Sequence, residues 1–256
     1  MVYRNLKTLS ALFLLYFFHP QLIFAEHTFA GIPISQEELL VLENIGYSVG
    51  YSEQRKNPLW VAYRLYECER SEKYERTKHF FVDFRTMARV EPQDYTHSGY
   101  SRGHMAPSLA IFLCYGKKAQ EETYLMSNIV PQRQSHNAGI WSFVEKLNLK
   151  NHTKKFGTIY VVTGPIFSPE KNLTIGRGIW VPLAFYKITL ARDKDKLKAL
   201  ALSIPHEEAK TKELRKYITT IREIEKLTGL DFFHELPDEE EIPLEETRAE
   251  DIWDLP

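Results

Sequence analysis

Several short stretches of this chain are rich in apolar, aromatic and β-branched residues, a composition that is typical of strands. Gly157 to Pro165 is apolar almost throughout, so it predicts a strand buried on both faces. Pro131 is expected to stop the strand before it, because proline cannot donate a backbone hydrogen bond. From aromatic and β-branched content, strands are predicted at 47–52, 58–66, 124–130, 157–165, 181–190 and 197–204.

Other apolar residues recur at helical spacing and predict helices at 137–149 and 210–228, and a further helix is predicted at 117–122. Gly229 follows the last helix as its expected C-cap. Ser35 is a candidate N-cap, after which either a short helix or an extended strand fits. There are no internal repeats, and composition does not change before Pro237. The pattern predicts one α+β domain with a mixed or antiparallel sheet flanked by helices.

The first 25 residues have the order of a signal peptide. Arg4 and Lys7 precede an apolar run at 9–18, and Ala25 is a small residue at a suitable cleavage position. The run is short for a membrane span, although an uncleaved anchor is the alternative. We therefore expect a secreted or periplasmic protein, with no stable membrane association after cleavage.

Charge is distributed unevenly along the 256 residues, whose net charge is −1. The tail at 237–256 holds nine acids and one arginine, so its net charge is −8. Residues 26–236 carry 30 basic and 25 acidic side chains, a net charge of +5. A basic domain at 26–236 is compatible with a polyanionic substrate. The acidic tail is equally compatible with a frayed, solvated terminus.

Two cysteines, Cys68 and Cys114, complete the composition. In an exported protein they could form one disulfide, and free thiols are the alternative. Two cysteines match neither a metal-binding pattern nor a disulfide-rich one, and neither lies in a recognisable nucleophile setting.

The segment from Tyr100 to Pro107 concentrates the candidate chemistry. It places Arg102 and His104 on either side of a glycine, shortly after a turn-forming Ser-Gly pair. Imidazole titrates near neutral pH, so His104 is a candidate general base. Arg102 can contact two phosphate oxygens at once.

A second stretch, 127–145, adds oxygen ligands. It spaces Asn137, Trp141 and Glu145 four residues apart, which predicts one shared helix face. Asn137 offers a neutral oxygen to a hard ion such as Mg²⁺. Glu145 would lie about 12 Å further along the helix axis, so it is expected to hold metal-bound water or a cationic side chain. A base, a cation and an oxygen-bearing helix suit metal-assisted attack on a phosphodiester.

These motifs together resemble the DNA/RNA non-specific endonucleases, the ββα-metal or His-Me finger family that includes endonuclease G and secreted bacterial nucleases. The resemblance covers about residues 45–237. It rests on Tyr-Ser-Arg-Gly-His-Met-Ala-Pro at 100–107, Asn-Ile-Val-Pro-Gln at 128–132, and Asn-Ala-Gly-Ile-Trp at 137–141 followed by Glu145. It implies a ββα-metal fold and a sugar-non-specific endonuclease that leaves 5′-phosphate ends.

The resemblance also implies roles for individual residues. His104 would be the general base, Asn137 the direct protein ligand of one Mg²⁺ or Mn²⁺, Glu145 the anchor of its water shell, and Arg102 a phosphate contact. A further family arginine stabilises the transition state. Arg76 is the best match here, with Lys78 and Arg85 as rivals, whereas Asn128 would shape the site.

The implied substrates are DNA and RNA, and a homodimer and an inhibitor protein stay open as further partners. One position departs from the family's Asp-Arg-Gly-His signature, because Ser101 stands where the aspartate is expected. This departure leaves open a weakened homologue that only binds nucleic acid. A separate alternative is a secreted structural protein in which these residues are ordinary core and surface groups.

Overall fold

Seven of the chain's strands form one sheet in the computed structural model, which describes residues 27–170, 173–210 and 213–253. The predicted signal peptide lies outside these residues. The strands are β1 (Ile34–Ser35), β2 (Leu40–Glu43), β3 (Ser48–Ser52), β4 (Asn57–Tyr66), β5 (Ser101–His104), β6 (Ile129–Gln132), β7 (Thr158–Ile166), β8 (Thr174–Ile175), β9 (Ile179–Trp180), β10 (Ala184–Asp193), β11 (Lys196–Pro205), β12 (Ile218–Thr219) and β13 (Leu230–Asp231).

Within the described residues, five helices accompany the strands, with short 3₁₀ turns at Pro92–Tyr95, Met126–Asn128 and Leu214–Tyr217. The helices are α1 (Ser108–Tyr115), α2 (Lys117–Glu122), α3 (residues 134–156), α4 (Ile221–Thr228) and α5 (Asp238–Glu246). The α+β class is confirmed. The extended alternative after Ser35 is also the one that forms, as β2.

The large sheet has the strand order β12-β11-β10-β7-β4-β3-β2, and every neighbouring pair is antiparallel. Successive side chains in a strand point to opposite faces, so each central strand feeds two cores. Val61 and Tyr63 belong to the core under α3, whereas Trp60 and Ala62 belong to the core under α4. β7 lies between β4 and β10 and is buried on both faces, as predicted.

A small β-hairpin and α3 make up the ββα element. β5 pairs with β6 in antiparallel register, so Arg102 lies opposite Pro131 and His104 opposite Ile129. The prediction that Pro131 stops the strand was wrong. β6 has a partner on one side only, and a proline is tolerated in such a strand because its missing N–H can face away from the partner.

Helix α3 is longer and less regular than the predicted helix at 137–149. α-Helical turns at Gln134–His136, Ser142–Leu147 and Thr153–Phe156 alternate with π turns at Asn137–Trp141 and Asn148–His152. The helix kinks at Gly139, where a Cβ atom would lie 2.6 Å from the carbonyl oxygen of Ala209. Only glycine fits this close approach.

The predicted helix at 210–228 was also wrong. The segment contains a 3₁₀ turn at Leu214–Tyr217, then β12, and only its last eight residues form α4. Thr220 caps α4 by accepting a hydrogen bond from the Glu223 amide, 3.1 Å away. The cap starts the helix there, because it satisfies an otherwise unpaired N–H group. Gly229 ends the helix at a φ of +71°, which confirms the expected C-cap.

The acidic tail is folded onto the domain as far as it is described, so the interpretation as a frayed terminus was wrong. Helix α5 packs against α4, and Leu244 and Glu245 are buried. Beyond α5, Ile252 and Trp253 join the core under α3, where Trp253 lies edge-on to His152 and Phe156. Apolar burial attaches this segment despite its negative charge.

Cys68 and Cys114 are free thiols in this structure, so the disulfide alternative is not formed. Burial and the neighbouring Cys114 raise the pKa of Cys68 to about 12. Among the described residues, no helix is both long enough and apolar enough to span a membrane.

Candidate active site

A cleft of about 680 Å³ opens between the β5–β6 hairpin, the start of α1 and helix α3. All five residues predicted for the site line it: Arg76, Arg102, His104, Asn137 and Glu145. They come from a loop, a strand and a helix that are up to 69 positions apart in the chain. The fold therefore brings the whole predicted set together.

His104 ends β5 at the wall of this cleft. Its ring lies 4.8 Å from the Tyr124 ring and 5.4 Å from the Phe80 ring. Its Nε2 atom is buried and has no hydrogen-bond partner within the described part of the chain. Burial, and then the positive charge of Arg76, lower the pKa of His104 to about 3. The imidazole is therefore neutral at physiological pH and can accept a proton.

The backbone around His104 is fixed by two neighbours. A Cβ atom at Gly103 would lie 2.1 Å from Oε1 of Gln132, so the glycine lets the two strands of the hairpin approach. Asn128 is buried, and its Oδ1 accepts the Ala106 amide at 2.9 Å while its backbone carbonyl accepts the Met105 amide at 3.1 Å. Asn128 thus shapes the loop that follows His104.

Arg102 is partly engaged within the protein. Its Nε and Nη2 atoms donate to the carbonyl oxygen of Pro92 at 3.1 and 2.5 Å, and its guanidinium lies 5.5 Å from the Phe80 ring centroid. The Nε–Nη2 edge, one of the two edges suited to two-point phosphate binding, is already in use. Nη1 is left for a contact in the cleft.

The structure separates the three candidates for the second cation. Arg76 lines the cleft and acts electrostatically on His104. Arg85 instead donates to Asp83, at 2.9 and 2.7 Å, and to Asn44, at 2.9 Å. Lys78 is exposed and is not part of the cleft lining. Arg76 is therefore the candidate that the geometry supports.

Asn137 and Glu145 face the cleft from α3, but Trp141 does not. Its ring is fully buried against Phe185, 5.5 Å between centroids. The prediction of one shared face was wrong for this residue. A π turn closes i→i+5 hydrogen bonds, so residues four apart no longer align on the helix.

A buried lysine beneath α3 was missed by the sequence analysis. Lys187 of β10 is 0% exposed and donates to the Tyr63 hydroxyl at 3.1 Å. Its environment lowers its pKa to about 8, chiefly through burial, while the charge of Glu145 opposes that shift. The signal was present, because Lys187 shares a strand face with Phe185 and Thr189 in a segment predicted to be buried.

Glu145 has an unusual carboxyl group. Burial raises its pKa to about 7, although the positive charges of Lys187 and Lys146 lower it. Asn137 and Glu145 offer two ligand oxygens in the same cleft as the unbonded nitrogen of His104. Hard divalent cations such as Mg²⁺ prefer oxygen donors, so these residues fit such an ion.

The geometry agrees with the chain's relatives. A sequence profile of the DNA/RNA non-specific endonuclease family matches residues 29–239. The chain belongs to this family. It is 30% identical to the mitochondrial nuclease EXOG of Xenopus laevis, over 80% of this chain and 61% of that protein. It is also 30% identical to nuclease C1 of Cunninghamella echinulata var. echinulata, over 76% of this chain and 83% of that protein.

The fold is shared as well. A crystal structure of EndoG bound to its inhibitor EndoGI superposes with a TM-score of 0.72 and 26% identity, covering 83% of this chain and 90% of that one. The ββα-metal assignment is thereby confirmed. The chain spans about three fifths of the length of the EXOG proteins.

Ser101, which stands where the family has an aspartate, has a hydrogen-bond partner at the cleft. Its hydroxyl donates to Oε1 of Gln134, 2.5 Å away, at the cleft wall. The serine therefore has a partner on α3, and it ties the hairpin to the helix that carries Asn137. It adds no charge beside the other cleft residues.

Proposed function

We propose that this protein is a Mg²⁺- or Mn²⁺-dependent, sugar-non-specific endonuclease that hydrolyses phosphodiester bonds of DNA and RNA. The observation that carries the proposal is the cleft itself, which gathers a neutral histidine with an unbonded nitrogen, two arginines and two oxygen donors. Each answers one requirement of phosphodiester hydrolysis: a proton acceptor, positive charge and a metal-binding pair.

In this proposal His104 accepts the proton of a water molecule as the water oxygen attacks phosphorus. The phosphorus–O3′ bond breaks, the departing 3′ oxygen takes a proton from solvent water, and the products carry a 5′-phosphate and a 3′-hydroxyl. Arg76 neutralises charge that develops on the phosphoryl oxygens, and Arg102 positions the phosphate. The aromatic wall of Phe80 and Tyr124 holds the imidazole ring in place.

Asn137 and Glu145 are the residues that would hold the divalent cation. When bound, the cation would supply Lewis-acid stabilisation of the departing 3′ oxygen. Glu145 in its ionised form is suited to binding metal-coordinated water, whereas the neutral Asn137 amide contributes a ligand oxygen without charge.

The test is digestion of plasmid DNA and of a structured RNA by the purified chain, with Mg²⁺, with Mn²⁺ and with EDTA. We expect cleavage of both substrates, abolished by EDTA, and 5′-phosphate ends that a ligase accepts without prior phosphorylation. Absence of cleavage with both metals would contradict the proposed endonuclease activity.

A second candidate function is a homologue that binds nucleic acid without cutting it. Ser101, in place of the family aspartate, is the observation that favours it. Retained DNA affinity together with absence of metal-dependent nicking would support this function. Absence of both would instead favour a structural protein.

We also propose that the chain is exported and cleaved near Ala25, since its first residues have signal-peptide order. N-terminal sequencing of secreted material should begin close to Glu26. A mature cytoplasmic chain that starts at Met1 would overturn this. EndoG in the related crystal structure is held by an inhibitor, so a protein inhibitor and a homodimer are further partners to test by gel filtration.

A further inference from the structure

Tyr74 lines the catalytic cleft from the loop between β4 and β5, and the proposed reaction gives it no role. It lies two positions before Arg76, the cation assigned to the phosphoryl oxygens, which lines the same cleft. Its side chain is neither buried nor fully exposed. One loop therefore brings an aromatic ring and a phosphate-binding cation into the cleft together.

The ring of Tyr74 is held in place by helix α1. Its hydroxyl oxygen lies 3.1 Å from Oγ of Ser108, and its ring lies edge-on to the ring of Phe112, with 5.4 Å between the centroids. The hydroxyl is thereby engaged, while the side chain still contributes to the cleft lining. An aromatic side chain whose orientation is already fixed loses little conformational freedom when a ligand stacks on it.

The same contacts place Tyr74 near the proposed general base. Oγ of Ser108 donates a hydrogen bond to the Tyr124 hydroxyl at 3.3 Å, and the Tyr124 ring lies 4.8 Å from the His104 ring. Two side chains thus connect Tyr74 to His104. A phosphate that is attacked beside His104 carries a nucleotide on each side, so one of these nucleotides is within reach of Tyr74.

The cleft lining also includes apolar side chains and a further cation that the reaction does not use. Pro107, Leu109 and Leu149 are the apolar residues, and Leu109 is 38% exposed; Lys146 is the cation. A nucleotide has the same two parts, an anionic phosphate and a flat base with weakly polar faces. An inorganic anion would leave the apolar residues uncovered, and a purely apolar ligand would leave the cations unpaired.

We propose that Tyr74 is the stacking platform for a nucleobase that adjoins the cleaved phosphate, with Leu109 and Leu149 beside it. The proposal rests on the proposed nuclease function and names the substrate form that the site takes. Stacking does not depend on base identity, because every base has a π-face. In a duplex the faces of each base are covered by its neighbours, so this subsite takes single-stranded or locally unpaired nucleic acid.

The test compares single-stranded oligothymidylate with a strand that has the same sugars and phosphates but no bases. Both strands are titrated with His104→Ala protein in EDTA, so that they stay intact. Adding Tyr74→Leu should weaken binding of the oligothymidylate about tenfold and leave binding of the abasic strand unchanged. Affinity for a duplex should change by less than about twofold, because its bases are already stacked.

Tyr74→Phe is the matched control, because it keeps the aromatic ring and loses only the hydroxyl. It should bind both strands as the parent protein does. A 2-aminopurine base placed in the oligothymidylate reports stacking directly, since its fluorescence is quenched by an aromatic neighbour. Quenching should persist in Tyr74→Phe and be lost in Tyr74→Leu.

Two results would overturn the stacking subsite. Equal weakening of both strands by Tyr74→Leu would mean that Tyr74 only supports the loop that carries Arg76, and unchanged binding of both would mean that no base contacts the ring. Either result leaves the nuclease function intact if the wild-type protein cuts plasmid and RNA. A Tyr74-dependent preference for the base-bearing strand without any cleavage would instead support the subsite and overturn the nuclease function.

Discussion

The ammonium group of Lys187 lies 4.4 Å from the centroid of the Trp141 ring, sealed between the large sheet and α3. The Trp141 indole in turn donates to the backbone carbonyl of His104 at 3.4 Å. A buried cation over an aromatic face is stabilised by the ring quadrupole. The pair thus connects the centre of the sheet to both β5, which carries His104, and α3, which carries Asn137 and Glu145.

Lys187→Met should raise the pKa of Glu145 above its value of about 7, since the charge of Lys187 is the larger of the two that lower it. More of the carboxyl group would then be protonated at neutral pH, and the Mg²⁺ concentration for half-maximal activity should increase. A Mg²⁺ titration at pH 7 and at pH 8.5 measures this. The defect should be smaller at the higher pH.

Lys146→Met is the matched control for that change. Lys146 also lowers the pKa of Glu145, but its side chain is exposed, so water and salt screen its charge. It should shift the Mg²⁺ requirement less than Lys187→Met does. Equal shifts in the two variants would show that burial of Lys187 is irrelevant to the site.

The pH dependence of the cleavage rate should follow the ionisation of Glu145 rather than that of His104. The sequence suggested a near-neutral imidazole, whereas burial places the pKa of His104 at about 3 and that of Glu145 at about 7. Activity should therefore fall as the pH drops through the pKa of Glu145. Because a cation competes with the proton, added Mg²⁺ should move this midpoint to lower pH. A midpoint that does not change with the Mg²⁺ concentration would indicate that His104, rather than Glu145, is the titrating group.

His104→Ala and Asn137→Ala should fail in different ways. Removing the proton acceptor should lower the cleavage rate by about 10²–10⁴, while Mg²⁺ and DNA still bind. Removing the amide oxygen weakens metal binding, so extra Mg²⁺ should recover part of the activity of Asn137→Ala alone. Cleavage by His104→Ala at nearly the wild-type rate would show that the proposed mechanism is wrong.

Ser101→Asp should leave activity within about tenfold, or about 1.4 kcal/mol in the barrier. The native hydroxyl already has a partner in Gln134, and an aspartate can accept a hydrogen bond from the amide nitrogen after a side-chain flip. Single-turnover cleavage of a short duplex measures the change. An increase in the cleavage rate of several orders of magnitude would show that the natural chain is a nuclease of strongly reduced activity.

Trp253→Ala should destabilise the domain by about 3 kcal/mol, because it removes a large ring from a packed core. The ring lies 5.3 Å from Phe156 and 5.6 Å from His152. Denaturant unfolding of this variant and of Glu250→Ala, an exposed neighbour, gives the comparison. The control should unfold like the wild type. Equal stability of the two variants would mean that the tail adds nothing to the fold.

The sequence by itself determined the elements and residues whose signals are local. Apolar, aromatic and β-branched content along β4, β7, β10 and β11 predicted the central strands, because such residues pack well in a buried sheet. The residue types around Gly103 and at Asn137 and Glu145 indicated the chemistry of the site. Arg102 and His104 offer a cation and a proton acceptor, and Asn137 and Glu145 offer ligand oxygens. The motif combination indicated the family, which the profile and the relatives confirm.

Tertiary structure decided the features that depend on residues distant in the chain. Periodicity suggested one helix at 210–228, but the Thr220 cap and the pairing of β12 with β11 limit it to α4. The π turn at Asn137–Trp141, within which Gly139 approaches Ala209, places Trp141 in the core. Arg76 was separated from Arg85 by the hydrogen bonds of Arg85 to Glu43 and Asn44, and the tail was folded by burial of Trp253. In each case a long-range contact outweighed a local preference, since burial and hydrogen bonding contribute more free energy than intrinsic propensity does.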